Sequence, residues 1–252
     1  MYHNEIEFID LGMIDYIEAF NLQKQYAAER ASDILDHDRI LMLEHLPVFT
    51  LGKRGGRENL VVTEDFLQSR NIPIVQTERG GNITYHAPGQ LVFYPVIHLE
   101  KRQTGVSDFV NMLEEIMIRT ASDFGVTAMR NSANHGIWVG SSKIGSIGLS
   151  VKRGVCFHGI ALNVNLDLTP FTWINPCGLT GVQMTSLENE RIRQTQDNNT
   201  NRDRFRKDRF RKKTENRVNT ENRVNKELPD ISILAVKSKM RYHFKTIVEN
   251  NK

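Results

Sequence analysis

Apolar and polar positions along this chain fall into short alternating runs, two helical periodicities and one stretch without hydrophobic pattern. Residues 5–11, Glu-Ile-Glu-Phe-Ile-Asp-Leu, alternate and predict a strand. From Ile14 to Ala31 the spacing predicts an amphipathic helix with Ile14, Ile17, Leu22 and Tyr26 among its apolar positions. The apolar run 40–45 reads as a strand ended by Pro47, and 48–52 resumes in extended form. Thr63 has the chemistry of an N-cap for a short helix over 64–70. Phe109, Leu113, Ile116, Met117, Ala121 and Phe124 recur at helical spacing, predicting a helix over 108–124 capped by Ser107 and stopped by Gly125.

Hairpin signals dominate elsewhere. Residues 83–86 and 91–97 read as a strand pair around Ala87-Pro88-Gly89-Gln90. Three more strands, over 136–140, 143–151 and 155–166, are joined by Gly-Ser-Ser and Lys-Arg-Gly turns. Short strands in hairpins with interspersed helices point to an α+β fold, a mixed or antiparallel sheet flanked by helices. The pattern lapses over 189–230, where Thr-Glu-Asn-Arg-Val-Asn occurs at 214–219 and again at 220–225. Such repeats bury too little to offset the entropy of ordering, so this segment is expected to be a disordered insertion between a domain over 1–188 and a terminal strand or helix within 231–252.

Composition changes the picture little. With 252 residues, 39% hydrophobic and 25% charged, the chain has the make-up of a globular domain. There is no apolar run long enough to cross a membrane and no export signal at the N-terminus, so a cytoplasmic protein is expected. Both cysteines, Cys156 and Cys177, are then expected as thiols; the eight histidines are scattered, and neither metal nor cofactor is anticipated. The formal charge of +3 is uneven, since 189–230 holds 13 Lys or Arg against 8 Asp or Glu, leaving 20 against 22 elsewhere. Nucleic acid is an unlikely partner for a segment so rich in acids as well.

Four segments carry candidate chemistry. The first, Arg79-Gly80-Gly81-Asn82-Ile83-Thr84-Tyr85-His86, pairs glycines that admit a ligand with polar groups on a strand edge, and it fits no phosphate-binding loop. In the second, Lys143-Ile144-Gly145-Ser146-Ile147-Gly148, the glycines leave space beside a lysine. His158-Gly159-Ile160-Ala161 again sets a glycine among small apolar residues, with His158 read as a satisfied structural histidine. Last comes Ile174-Asn175-Pro176-Cys177-Gly178, a thiol between a restricting proline and a permissive glycine, as acyl transfer through a thioester would need.

Taken in order, these motifs over roughly residues 8–188 closely resemble the octanoyltransferases, also called lipoate-protein ligase B. The resemblance implies the fold of the biotin and lipoate ligase catalytic domain. It implies transfer of an octanoyl group from octanoyl-acyl carrier protein to a lysine of lipoyl domains, those of 2-oxo-acid dehydrogenase complexes and the glycine-cleavage H protein. Cys177 would be the acyl-thioester nucleophile and Lys143 its partner. Arg79 to His86, Ser146 to Gly148 and Gly159 to Ala161 would line the acyl site. Departures are Ala87, where glycine is usual and a positive φ would be strained, and Ser150, where arginine is common. Two other readings remain: an ATP-dependent lipoate ligase on the same fold, and a non-catalytic module binding a carrier protein or nucleic acid.

Overall fold

The computed structural model describes residues 6–132, 134–178, 181–196 and 228–250, without the side chains of residues 177, 249 and 250. An initial strand β1 (Ile6–Ile14) leads to helix α1 (Tyr16–Ala31) and strands β2 (Asp38–His45) and β3 (Val48–Leu51). Next come α2 (Glu64–Gln68), β4 (Ile74–Gln76), β5 (Thr84–His86), β6 (Gln90–His98) and the long helix α3 (Val106–Asp123). β7 (Met129–Arg130), β8 (Gly136–Val139), β9 (Ser142–Lys152), β10 (Val155–Asn163) and β11 (Gln183–Met184) follow. Residues 187–196 are helical (α4), and α5 (Ile233–Asn250) ends the described chain.

The main sheet runs β1-β2-β6-β10-β9-β8-β7, with β11 beside β9; a small sheet is ordered β4-β3-β5. β1 with β2 and β11 with β9 are parallel, while the remaining pairs of the main sheet are antiparallel. This is the α+β class expected. Because side chains alternate across a strand, Leu91 and Phe93 of β6 face α3 and α5, whereas Val92 and Tyr94 face α1. Phe109, Leu113, Ile116 and Met117 of α3 and Val236, Met240 and Phe244 of α5 fill that first face, each worth about 1.5–3 kcal/mol by burial.

Local chemistry explains the boundaries. Asp15 caps α1 by accepting from the N–H groups of Ile17 and Glu18, and Thr63 caps α2 by accepting from Phe66 N. α3 starts earlier than expected, on Gly105 with no side-chain cap, so Ser107 lies inside the helix; Gly125, at φ +78°, ends it.

Two expectations fail. Ile17 is 46% exposed, and the buried face of α1 is Tyr16, Ala19, Phe20, Gln23, Ala27 and Arg30. Two polar side chains turn inward there because each meets a partner: Arg30 Nε donates to Asp38 Oδ1 at 2.8 Å, and Gln23 Oε1 accepts from His158 N at 2.8 Å. Nor do β5 and β6 form a hairpin. β5 pairs with β3 in the small sheet, while β6 lies between β2 and β10. Gly89, at φ +87°, redirects the chain; its N–H donates to Glu44 Oε2 at 2.7 Å, and its carbonyl accepts from Val164 N and Asn165 N.

Towards the C-terminus, the first residues of the basic segment, 189–196, belong to α4, while the repeats at 214–225 lie outside the described residues. Residues 233–250 form a helix, with no strand among the described residues after α4.

Candidate functional site

The wall of the site is built by glycines that let main chain lie on main chain. A Cβ at Gly52 would stand 2.3 Å from Gly81 O and 2.8 Å from Arg79 Nη1, and one at Gly148 would stand 3.1 Å from Gly80 O. Lys53 N donates to Arg79 O at 2.9 Å, Arg54 N to Gly81 O at 3.0 Å, and Gly80 N to Leu149 O at 2.8 Å. The Arg79 guanidinium, buried in this clasp, donates to Thr50 O at 2.7 Å, Thr50 Oγ1 at 2.9 Å and Gly80 O at 3.0 Å.

Between this clasp and strands β6, β9 and β10 lies a cleft with about 500 Å³ of unfilled space, its open mouth included. Of the candidate residues, Arg79, Gly81, Asn82, Ile83, Thr84, His86, Ser146, Ile147, Gly148, Gly159, Ile160 and Ala161 line it. Tyr85 does not. Between Thr84 and His86 on β5 it points the other way, its ring tilted against Phe49 at 4.9 Å and edge-to-face with Phe171 at 5.6 Å. Gly80 also stays out, and because its N–H is spent on Leu149 it is no free donor for an oxyanion.

Val92, Tyr94 and His158 line the cleft as well, and the motifs did not single them out for it. Val92 and Tyr94 follow from alternation along β6. His158 does not follow from sequence. Its backbone is left-handed at φ +57°, and it lies where β10 parts from β6 opposite Pro95, which has no N–H to offer a ladder. The ring stacks on Phe20 and Phe157, with centroids 5.1 and 5.0 Å away, and neither ring nitrogen has a hydrogen-bond partner among the described residues. It is therefore not the satisfied histidine expected. Burial, then Arg79, Lys53 and Lys152, pushes it down to about 3.

Neighbouring groups are neutral too. Burial takes His45 down to about 4 and His86 well below its ordinary value, with His45 and Arg79 adding to the effect on His86. As neutral rings, His45 donates from Nδ1 to Ile14 O and accepts from the Tyr94 hydroxyl at 2.7 Å, and His86 donates to Gln90 Oε1 at 2.7 Å. Cys156 is buried away from the cleft, where desolvation raises its thiol to about 12. Ala87 is buried without a positive φ, so the strain its side chain suggested does not arise. Ser150 is buried on β9, its hydroxyl unpartnered among the described residues.

Lys143 is no surface lysine. It is 2% exposed, its Nζ donates to His135 O at 2.8 Å and to Asn134 Oδ1, and it lies 5.4 Å from the Trp138 ring centre. The turn Pro176–Gly178 is anchored by Asn175 N donating to Asn59 O at 2.8 Å, and a Cβ at Gly178 would stand 2.5 Å from Asn82 Nδ2. Further on, β11 pairs Met184 with Lys143, and Thr185 N donates to Lys143 O at 2.9 Å. The side chain of Cys177 lies outside the described residues. Among those described, no group of three or more His, Cys, Asp or Glu could hold a metal ion, and no helix is long and apolar enough to cross a membrane.

Comparison with known proteins agrees with this architecture. Residues 15–203 match the lipoyl protein ligase A/B catalytic domain family. An octanoyltransferase of Desulfotalea psychrophila is 54% identical over 184 residues, covering 72% of this chain and 82% of that one. One from Neisseria gonorrhoeae is 43% identical over 182 residues, covering 72% and 84%. Among solved structures, a lipoate-protein ligase A bound with ATP superposes with TM-score 0.62 at 14% identity, covering 98% of this chain and 85% of that one. The bipartite lipoate protein ligase of Thermoplasma acidophilum gives 0.60 at 17%, covering 98% and 84%. At such identities the structural likeness speaks for the fold.

Proposed function

Because the chain belongs to the octanoyltransferase family, on the lipoyl protein ligase A/B catalytic domain, and is an acyltransferase, we propose that it moves an octanoyl group from octanoyl-acyl carrier protein to a specific lysine of lipoyl domains through a thioester on Cys177. One observation supports this reading most. The chain that follows Cys177 is tied to two parts of the site: Gly178 packs on Asn82 of the cleft wall, and β11 runs beside Lys143.

In the first step the Cys177 thiolate attacks the carrier-bound thioester, and the carrier's thiolate leaves. One thioester replaces another, so the step is nearly balanced and needs no nucleotide. In the second, the acceptor's lysine amine attacks Cys177's acyl carbon, an amide forms, and the sulfur leaves to regain a proton. Lys143 as an ammonium favours the thiolate, and as an amine accepts the proton of the incoming nitrogen. The apolar wall of Ile83, Val92, Ile147, Ile160 and Ala161 takes the hydrocarbon tail, where each buried methylene contributes about 0.8 kcal/mol. The acceptors we assign are the lipoyl domains of 2-oxo-acid dehydrogenase complexes and the glycine-cleavage H protein, and the reaction is placed in the cytoplasm.

Incubation with octanoyl-acyl carrier protein without ATP, followed by intact-protein mass spectrometry, tests the reading. The expected result is one octanoyl addition located on Cys177 and absent from Cys177→Ala. Full transfer by Cys177→Ala, or a strict need for ATP, overturns it.

A further inference from the structure

Glu114 is a buried carboxylate on α3 that faces the loop supplying two oxygen partners of Lys143. Its Oε1 accepts from Gly136 N at 2.9 Å, while the carbonyl of the same peptide group, His135 O, accepts from Lys143 Nζ at 2.8 Å. No cis peptide occurs among the described residues, and in a trans peptide the N–H and C=O point in opposite directions. Carboxylate, peptide and ammonium are therefore in series, and a peptide polarised at its N–H is a stronger acceptor at its oxygen.

Two other basic side chains face Glu114. Arg130 Nε lies 3.2 Å from Oε2 and His135 Nδ1 3.5 Å from Oε1, but their side chains are 44% and 74% exposed against 3% for the glutamate. Water screens those contacts far more than the relay through the peptide. Gly136 is adapted to the arrangement. Its φ is +119°, and a Cβ there would stand 2.3 Å from Gly145 O and 2.9 Å from Lys143 Cε, so the lysine stem lies against this peptide.

We propose that Glu114 is a positioning residue that fixes the ammonium of Lys143 through the His135–Gly136 peptide. The assignment rests on Lys143 being the partner of the reacting thiol.

A double-mutant cycle on the full chain tests it, with single-turnover octanoyl loading of Cys177 as readout. Glu114→Gln keeps an oxygen that can accept from Gly136 but removes the charge. It is expected to slow loading about tenfold, as the loss of one charge-assisted hydrogen bond does, and to cause no further loss in a Lys143→Ala background. A loss that multiplies with that of Lys143→Ala marks general structural damage and overturns the proposal. So does wild-type loading by Glu114→Gln when Lys143→Ala is slow, an outcome that leaves the lysine's own role intact. Wild-type loading by Lys143→Ala would instead sink the lysine's role and the proposal together. A second measurement does not depend on Glu114→Gln folding: the Gly136 amide proton is expected to move upfield in Lys143→Ala as its hydrogen bond weakens, and an unmoved resonance overturns the relay.

Discussion

The backbone N–H of His158 donates to the side-chain oxygen of Gln23 at 2.8 Å, across 135 residues of sequence. This contact lets β10 break its ladder with β6 without orphaning a buried donor, and the break brings the His158 ring to the cleft. Gln23→Ala removes the acceptor and is expected to cost about 1–3 kcal/mol of unfolding free energy. Urea denaturation measures it. An unchanged midpoint would show that the contact contributes nothing.

Acid should weaken the fold through its buried histidines. An unfolded imidazole takes up a proton near about 6.5, but the folded chain refuses it until about 4 at His45 and about 3 at His158. The unfolded state then binds more protons between those limits, so their contribution is whole above about 6.5 and declines as pH falls towards 4 and 3. The slope is at most about 1.4 kcal/mol per histidine per pH unit. Urea midpoints at pH 7 and pH 5 should therefore differ less in His158→Gln than in the unaltered chain. Equal differences would exclude His158 as a source.

Lys143→Met keeps most of the buried stem and removes the nitrogen. Loading of Cys177 is expected to fall by about 10²–10⁴, the range for a lost acid–base partner, with the circular dichroism spectrum retained. Loading within threefold of the unaltered enzyme would mean that the thiol needs no such partner.

Chain-length preference should follow the far wall of the cleft. Ala161→Phe fills space beside Val92 and Ser146, the residues paired with Ala161 on the neighbouring strands. Competition between octanoyl and hexanoyl carrier protein is expected to swing towards the shorter acyl group. Each displaced methylene is worth about 0.8 kcal/mol, or roughly fourfold. A ratio that does not move would put the tail elsewhere.

Much of this was legible in the residues. The break at Pro47, the periodic face of α3 and the hairpins around Gly140 and Gly154 are local signals, and local chemistry decided them. Contacts at long range were hidden. Nothing local marks the polar Gln23 and Arg30 as buried; partners on β10 and β2 turn them inward. The strands flanking Pro88-Gly89 looked like a hairpin because nothing local shows that Glu44 and Val164 anchor the turn. Within the cleft, the glycine-paired motifs marked three walls, and strict alternation along β5 already assigns Tyr85 to the opposite face. The orphaned ring of His158 depends on a backbone angle that no motif encodes.

At the rim, Gly52 and Gly148 set main chain against Gly81 O and Gly80 O around the Arg79 side chain, where a larger residue has no room. Inherited variation in acyl preference then has few places to act, chiefly Val92, Ile147, Ile160 and Ala161. Lineages that diverge in the fatty acid they handle should differ at those positions while the rim stays frozen.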